Sequence, residues 1–183
     1  MTRQLGSLNE IRRPAKFAHF VLRCTNLEAS KQWYSTVLGA RVVFENPSIA
    51  FLTYDDEHHR LALAQFGEVA QKPPHAAGLD HVAYTYDTLG DLLHNYERLK
   101  AAGIKPVWCV NHGPTTSMYY ADPDGNRVEM QIDNFPTVEE LNGWFRSGEF
   151  EKNPIGTNFD PDKLVERYQG GAAEEELVRQ GAA

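Results

Sequence analysis

The chemistry most legible in this chain rests on two histidines and one glutamate: His19, His81 and Glu129. His19 in Phe17-Ala-His19-Phe20-Val21 and His81 in Leu79-Asp-His81-Val82-Ala83 occupy short apolar runs that align with each other. Glu129 lies between Val128 and Met130, where a strand carboxylate must either face solvent or be paired with charge. Two imidazoles and one carboxylate make a donor set that suits non-haem Fe(II), is also accepted by Mn(II), and leaves three octahedral positions open. Taken singly, a strand histidine is more often a hydrogen-bonding residue than a ligand, and Glu129 alone reads as an exposed strand position. The metal reading gains weight because the two histidines are related by a repeat.

That repeat sets the elements that must position them. Ala50 to Phe66 (AFLTYDDEHHRLALAQF) lies without gaps on Ser117 to Asp133 (SMYYADPDGNRVEMQID), with Arg60 falling on Arg127 and Ala62 on Glu129. Each half reads as strand, helix and three strands. Asn26 is the expected cap of a first helix carrying Leu27, Trp33, Tyr34, Val37 and Leu38 and closing at Gly39; the second carries Leu89, Leu92, Leu93, Tyr96 and Leu99 and closes at Gly103. Strands are expected over Phe17 to Arg23, Arg41 to Glu45, Ile49 to Tyr54 and Arg60 to Phe66, then over Leu79 to Tyr84, Lys105 to Val110, Ser117 to Ala121 and Asn126 to Ile132. Asp122-Pro-Asp-Gly125 is a tight turn that launches the strand of Glu129.

Units this small bury only a modest core, so two are expected to pair. The expected fold is α+β: paired βαβββ modules at 16–67 and 78–134 forming a domain at 16–134 around a shared curved-sheet cavity, with an arm at 1–15 and a helical tail at 135–183. His19, His81 and Glu129 would converge in that cavity. Ala62 cannot bind a metal, so three protein ligands are expected rather than four, and Gln65, on the opposite strand face, is not counted. Short tail helices over Thr137 to Arg146, Pro161 to Gln169 and Ala172 to Gln180 read as packing or oligomer-contact material, in keeping with a homo-oligomer, a dimer or larger.

Composition narrows the partners. Lys and Arg number 18 against 25 Asp and Glu, a formal charge of −7, which repels a phosphate backbone and argues against nucleic acid. No run is long and apolar enough for a membrane helix or a signal peptide, and Cys24 and Cys109 stand outside any CxxC spacing, so a cytoplasmic protein without membrane association is expected.

At these residues the chain resembles the vicinal oxygen chelate (glyoxalase/bleomycin resistance/dioxygenase) superfamily and, within it, the type I extradiol ring-cleaving dioxygenases in a small single-domain form. Paired βαβββ modules match residues 16 to 133. The run Val110-Asn-His112-Gly-Pro-Thr-Thr-Ser-Met118-Tyr119-Tyr-Ala-Asp122-Pro123-Asp-Gly125-Asn-Arg-Val-Glu129 follows the extradiol signature, and Glu57-His58-His59-Arg60-Leu61-Ala62-Leu63 resembles the segment of the acid/base histidine. The resemblance implies His19, His81 and Glu129 as iron ligands, His59 as acid/base, Tyr119 as hydrogen-bond donor to substrate, and His112 near the substrate hydroxyl. It implies a catechol and O2 as reactants. His58 competes with His59, and alternation lets only one of them point inward. Trp108, Tyr120, Phe51 and Tyr84 are candidate pocket walls, with ordinary core packing the default for each; His75 and His94 read as solvent-facing. Two other functions stay open: a non-oxidative lyase or isomerase of the glyoxalase I type, against which Ala62 and His59 argue, and a metal-free binding or resistance protein.

Overall fold

A computed structural model describes residues 9, 11–73 and 76–182, and it displays the duplication directly. Most of the arm at 1–15, together with His75, lies outside the described residues. The first module runs β1 (Phe20–Arg23), α1 (Leu27–Leu38), β2 (Arg41–Asn46), β3 (Ile49–Thr53) and β4 (Leu61–Ala64). The second repeats the order as β5 (His81–Thr85), α2 (Leu89–Ala101), β6 (Trp108–Asn111), β7 (Thr115–Ala121) and β8 (Arg127–Asp133). Each module makes a mixed sheet, β1-β4-β3-β2 or β5-β8-β7-β6, in which the first strand pairs parallel with the last.

Local chemistry sets the element ends. The Asn26 side chain accepts from the Ala29 amide at 3.0 Å to start α1, and Gly39, at φ 63°, ends it in the left-handed region that a Cβ disfavours. Thr88 caps α2 by accepting from the Asp91 amide at 3.1 Å. Alternation then divides each sheet. Phe20, Leu22, Ala50, Leu52, Leu61 and Leu63 of the first, and Val128, Met130, Ile132, Met118 and Tyr120 of the second, join α1 and α2 in one core.

The other faces carry the candidate site residues, and here one expectation is corrected. A single chain does not close one cavity around His19, His81 and Glu129: among the described residues no three His, Cys, Asp or Glu side chains gather in a metal-holding group. The modules meet through their core sides, with the Arg98 guanidinium of α2 donating to the carbonyls of Thr36 (2.7 Å) and Val37 (3.1 Å) on α1. The opposite face of the first sheet is left uncovered, with Val21 56% and Phe44 50% exposed. Tyr84 and Tyr120 take the ordinary core side of their strands, whereas Trp108 and Phe51 lie on the site-bearing faces.

The tail folds as α3 (Val138–Arg146), α4 (Glu149–Lys152), β9 (Thr157–Asn158), α5 (Pro161–Gln169) and α6 (Glu174–Leu177). Leu164, Val165 and Leu177 bury against the main core, and β9 extends the second sheet beside β6. His94 is exposed, both cysteines are free and buried, and among the described residues no helix is long and apolar enough to cross a membrane.

The turn before β8 hangs on Asp122, which is 6% exposed. One carboxylate oxygen accepts from the amides of Asp124 (2.9 Å) and Asn126 (2.7 Å); the other accepts from the Tyr34 hydroxyl (3.1 Å) and the Asn126 side chain (2.9 Å). Asp122→Ala is therefore expected to cost about 2–4 kcal/mol in urea denaturation, and Tyr34→Phe about 1 kcal/mol. A loss for Asp122→Ala no larger than that for Tyr34→Phe would contradict this account of the turn.

Candidate metal and substrate site

The β5–β8 register places Ala83 beside Glu129, and the β7–β8 register places Tyr119 on its other side. Glu129 is 4% exposed, so its carboxylate needs a charged or donating neighbour. His81 is the adjoining ring: its Nε2 stands 3.0 Å from Glu129 Oε2. The far nitrogen, Nδ1, lies 2.8 Å from Asp80 Oδ2, and Arg127 Nη2 donates to both Asp80 oxygens at 2.5 and 2.7 Å. The His81 ring and the Arg127 guanidinium hold the Asp80 carboxyl below the usual carboxylate range. An acceptor on Nδ1 turns Nε2 toward Glu129, the way an outer carboxylate orients a metal-binding imidazole.

Tyr119 and His112 complete this half. Burial and the adjacent Glu129 push the Tyr119 phenol well above its ordinary value, so it keeps its proton near neutrality. Its hydroxyl stands 3.0 Å from His112 Nε2, and its ring stacks on Trp108 with centroids 4.9 Å apart.

A second group forms on the first sheet. His19 precedes β1, and the chain carrying it is held by Arg60, whose Nη1 donates to the carbonyls of Phe17 (2.5 Å) and Ala18 (3.1 Å). The His59 ring stacks on Phe51 (4.5 Å, 11°) and lies 4.3 Å from the His19 ring, whereas His58 is 6.4 Å from His19 and more exposed. Burial, then the neighbouring His19 and His58, lower the affinity of His59 for a proton. The structure thus brings His81, Glu129, Tyr119 and His112 together on one sheet and His19 with His59 on the other.

Register gives the repeat a structural meaning. Val21 pairs with Ala62 as Ala83 pairs with Glu129, so Ala62 occupies the carboxylate position of the first module. Gln65 is committed elsewhere, accepting from the Leu27 amide and donating to the Thr25 carbonyl, both at 2.9 Å. The equivalent arginines, Arg60 and Arg127, each fasten the segment preceding a histidine. Asp80 was not singled out from sequence, although an acid just before a candidate ligand, opposite an arginine shared by both repeats, was the available signal. The contact of the tail with His112, at Ile155, left no such signal.

A family model described as Glyoxalase/Bleomycin resistance protein/Dioxygenase superfamily matches residues 16–130. The chain is 50% identical over 158 residues to biphenyl-2,3-diol 1,2-dioxygenase 2 of Rhodococcus globerulus, covering 85% of this chain and 83% of the relative. It is 49% identical over 165 residues to biphenyl-2,3-diol 1,2-dioxygenase 3 of the same organism, covering 89% and 87%. Among solved structures, a lactoylglutathione lyase from Agrobacterium tumefaciens superposes with a TM-score of 0.55 at 22% identity over 66% of this chain and 96% of that one, a likeness of fold alone.

If Asp80 orients His81, Asp80→Ala should weaken divalent-cation binding about tenfold or more in calorimetric titration of metal-free protein. The melting temperature should hardly move, because Asp80 is exposed. Unchanged affinity would remove Asp80 from the site.

Proposed function

We propose, for a chain that belongs to the Glyoxalase/Bleomycin resistance protein/Dioxygenase superfamily, that it opens a catechol-type ring with O2 by extradiol cleavage at a divalent metal. The observation carrying this reading is the His81–Glu129 pair, 3.0 Å apart, with the Tyr119 hydroxyl and Trp108 ring on the same sheet face. A nearly buried carboxylate facing an oriented imidazole is a donor arrangement that a divalent cation fits. Fe(II) is the proposed occupant, with Mn(II) the alternative that accepts the same donors, and His19 is the proposed third ligand. Bound there, such a metal supplies Lewis-acid stabilisation of a catecholate and a place for O2 beside it.

The chain's own groups do the rest. His59 takes a proton from a catechol hydroxyl and later returns one to a departing oxygen, work suited to an imidazole whose proton affinity is lowered by burial. Tyr119 stays protonated and directs its O–H at oxygen where negative charge develops. His112 holds the Tyr119 hydroxyl, and Trp108 and Phe51 offer flat apolar surface to an aromatic ring. A diol of the biphenyl type is the first substrate to try, since the two relatives near 50% identity carry that name. Ala62, at the carboxylate position of the first module, leaves one ligand fewer than a four-ligand lyase site would have. Two free cysteines, both buried, suit a reducing cytoplasm.

One chain supplies this site in two halves, so we place the whole site between two copies. A twofold pair that sets the first-sheet face of one copy on the second-sheet face of the other, twice over, delivers His19 and His59 to His81, Glu129 and Tyr119 without refolding either chain. It also covers Val21 and Phe44, two of the apolar side chains left exposed in a single chain.

Subunit mixing tests both parts. His19→Ala and Glu129→Ala proteins should each lose metal; unfolded and refolded together, they should regain about a quarter of wild-type metal and oxygen uptake, because half the pairs are mixed and each mixed pair has one intact site. No recovery, with each parent folded and oligomeric, would reject the shared site. His59→Phe should keep its iron and lose turnover on a catechol panel, read by oxygen consumption and by the coloured ring-opened product. Wild-type protein that holds iron yet opens no catechol would reject the dioxygenase reading itself.

A further inference from the structure

The tail does more than cover the core. After α4 the chain turns at Asn153, whose side-chain oxygen accepts from the Gly156 amide at 3.0 Å, and then pairs as β9 along β6, Asn158 opposite Val110 and Thr157 opposite Asn111. Gly156 has φ 103°, and a Cβ there would stand 2.3 Å from the Asn111 carbonyl oxygen and 2.8 Å from His112 Cα, so only a residue without a side chain lets the strap lie this close. The close approach puts the Ile155 carbonyl oxygen 2.6 Å from His112 Nδ1. Two residues beyond Gly156, Asn158 accepts from the Trp108 indole at 2.8 Å, fixing the ring that stacks on Tyr119.

We infer that the strap at 155–158 is a positioning device for the substrate-facing pair: the Ile155 carbonyl assigns the His112 tautomer and thereby the direction of the Tyr119 hydroxyl. A backbone carbonyl can only accept, so in the neutral imidazole the hydrogen sits on Nδ1 and the lone pair on Nε2. At 3.0 Å from that lone pair, the Tyr119 O–H has His112 as an acceptor, with the adjacent Glu129 carboxylate competing for the same hydrogen. With Nε2 as an acceptor, the Tyr119 hydroxyl faces His112 with its hydrogen and leaves its lone pairs to an incoming substrate hydroxyl, and a turn about the C–O bond aims the hydrogen at substrate oxygen. With the strap lifted, a free imidazole can move its hydrogen to Nε2, reverse the bond and point the tyrosine hydrogen elsewhere.

The tautomer assignment stands on the metal-free chain whatever the substrate; only its effect on rate rests on the dioxygenase reading. Nitrogen-15 spectra of histidine-labelled, metal-free wild-type protein should show His112 as the Nδ1–H form, its signals identified by their absence in His112→Phe. Gly156→Ala should shift His112 toward the Nε2–H form and lower kcat on a catechol about tenfold, with metal content unchanged. Ile155→Ala keeps the carbonyl and should leave both readouts as in wild type. An Nε2–H His112 in the wild type would overturn the proposal, as would a folded Gly156→Ala protein with altered tautomer and undiminished kcat. Inactivity of the wild type on all catechols alongside an Nδ1–H His112 would instead count against the dioxygenase reading and support the strap's assignment.

Discussion

The Glu129 carboxylate governs the site, because it is an almost fully buried anion on a strand whose other face builds the core. Val128, Met130 and Ile132 commit one side of β8 to apolar packing, so alternation throws Glu129 onto the opposite face whatever that face costs. Leaving the carboxylate there without a donor would be heavily unfavourable. The surroundings answer that constraint in sequence: His81 reaches it with Nε2, Asp80 holds the back of His81, and Arg127 holds Asp80. Each group is oriented by the next, and the last is tied to the ladder that carries Glu129 itself.

Duplication supplies the geometry and then breaks its own symmetry. The two sheets repeat strand order and register, and the two arginines repeat their task of fastening the segment before a histidine. The carboxylate is not repeated, since Ala62 stands where Glu129 stands. One module therefore offers an imidazole with a second imidazole stacked on Phe51 beside it, and the other an imidazole with a carboxylate and a tyrosine. Neither half suffices for the chemistry proposed, and that division of labour gives a second copy something specific to contribute beyond covering apolar surface.

Much of this was legible before any coordinates. Both helices, the Asn26 cap and all eight module strands follow from hydrophobic period and turn residues, with boundaries moved by a few positions; β1 begins at Phe20, not Phe17, because Arg60 takes up the carbonyls of Phe17 and Ala18. Alternation lets only one of His58 and His59 point inward, and it is the His59 ring that stacks on Phe51 beside His19. Between pocket wall and core packing, aromatic character alone does not choose for Tyr84 and Tyr120; register does, setting Tyr84 opposite Met130 and Tyr120 opposite Val128 on the core side. The tail reads from sequence as packing or oligomer-contact material, without its strand; a two-residue strand such as β9 has no periodicity to detect.

The sequence by itself determined the repeat, the order of strand, helix and three strands in each module, and the donor types, because these depend on interactions between near neighbours along the chain: capping, alternation and turn geometry. Only the tertiary structure decided which faces the modules turn toward each other, and so whether His19 meets His81 and Glu129 within one chain. That choice depends on where the largest apolar area can be buried across both modules at once, a sum over distant residues that local pattern does not encode. The same holds for the strap on His112, where a carbonyl more than forty residues away selects a tautomer through backbone alone, with no side chain to announce it.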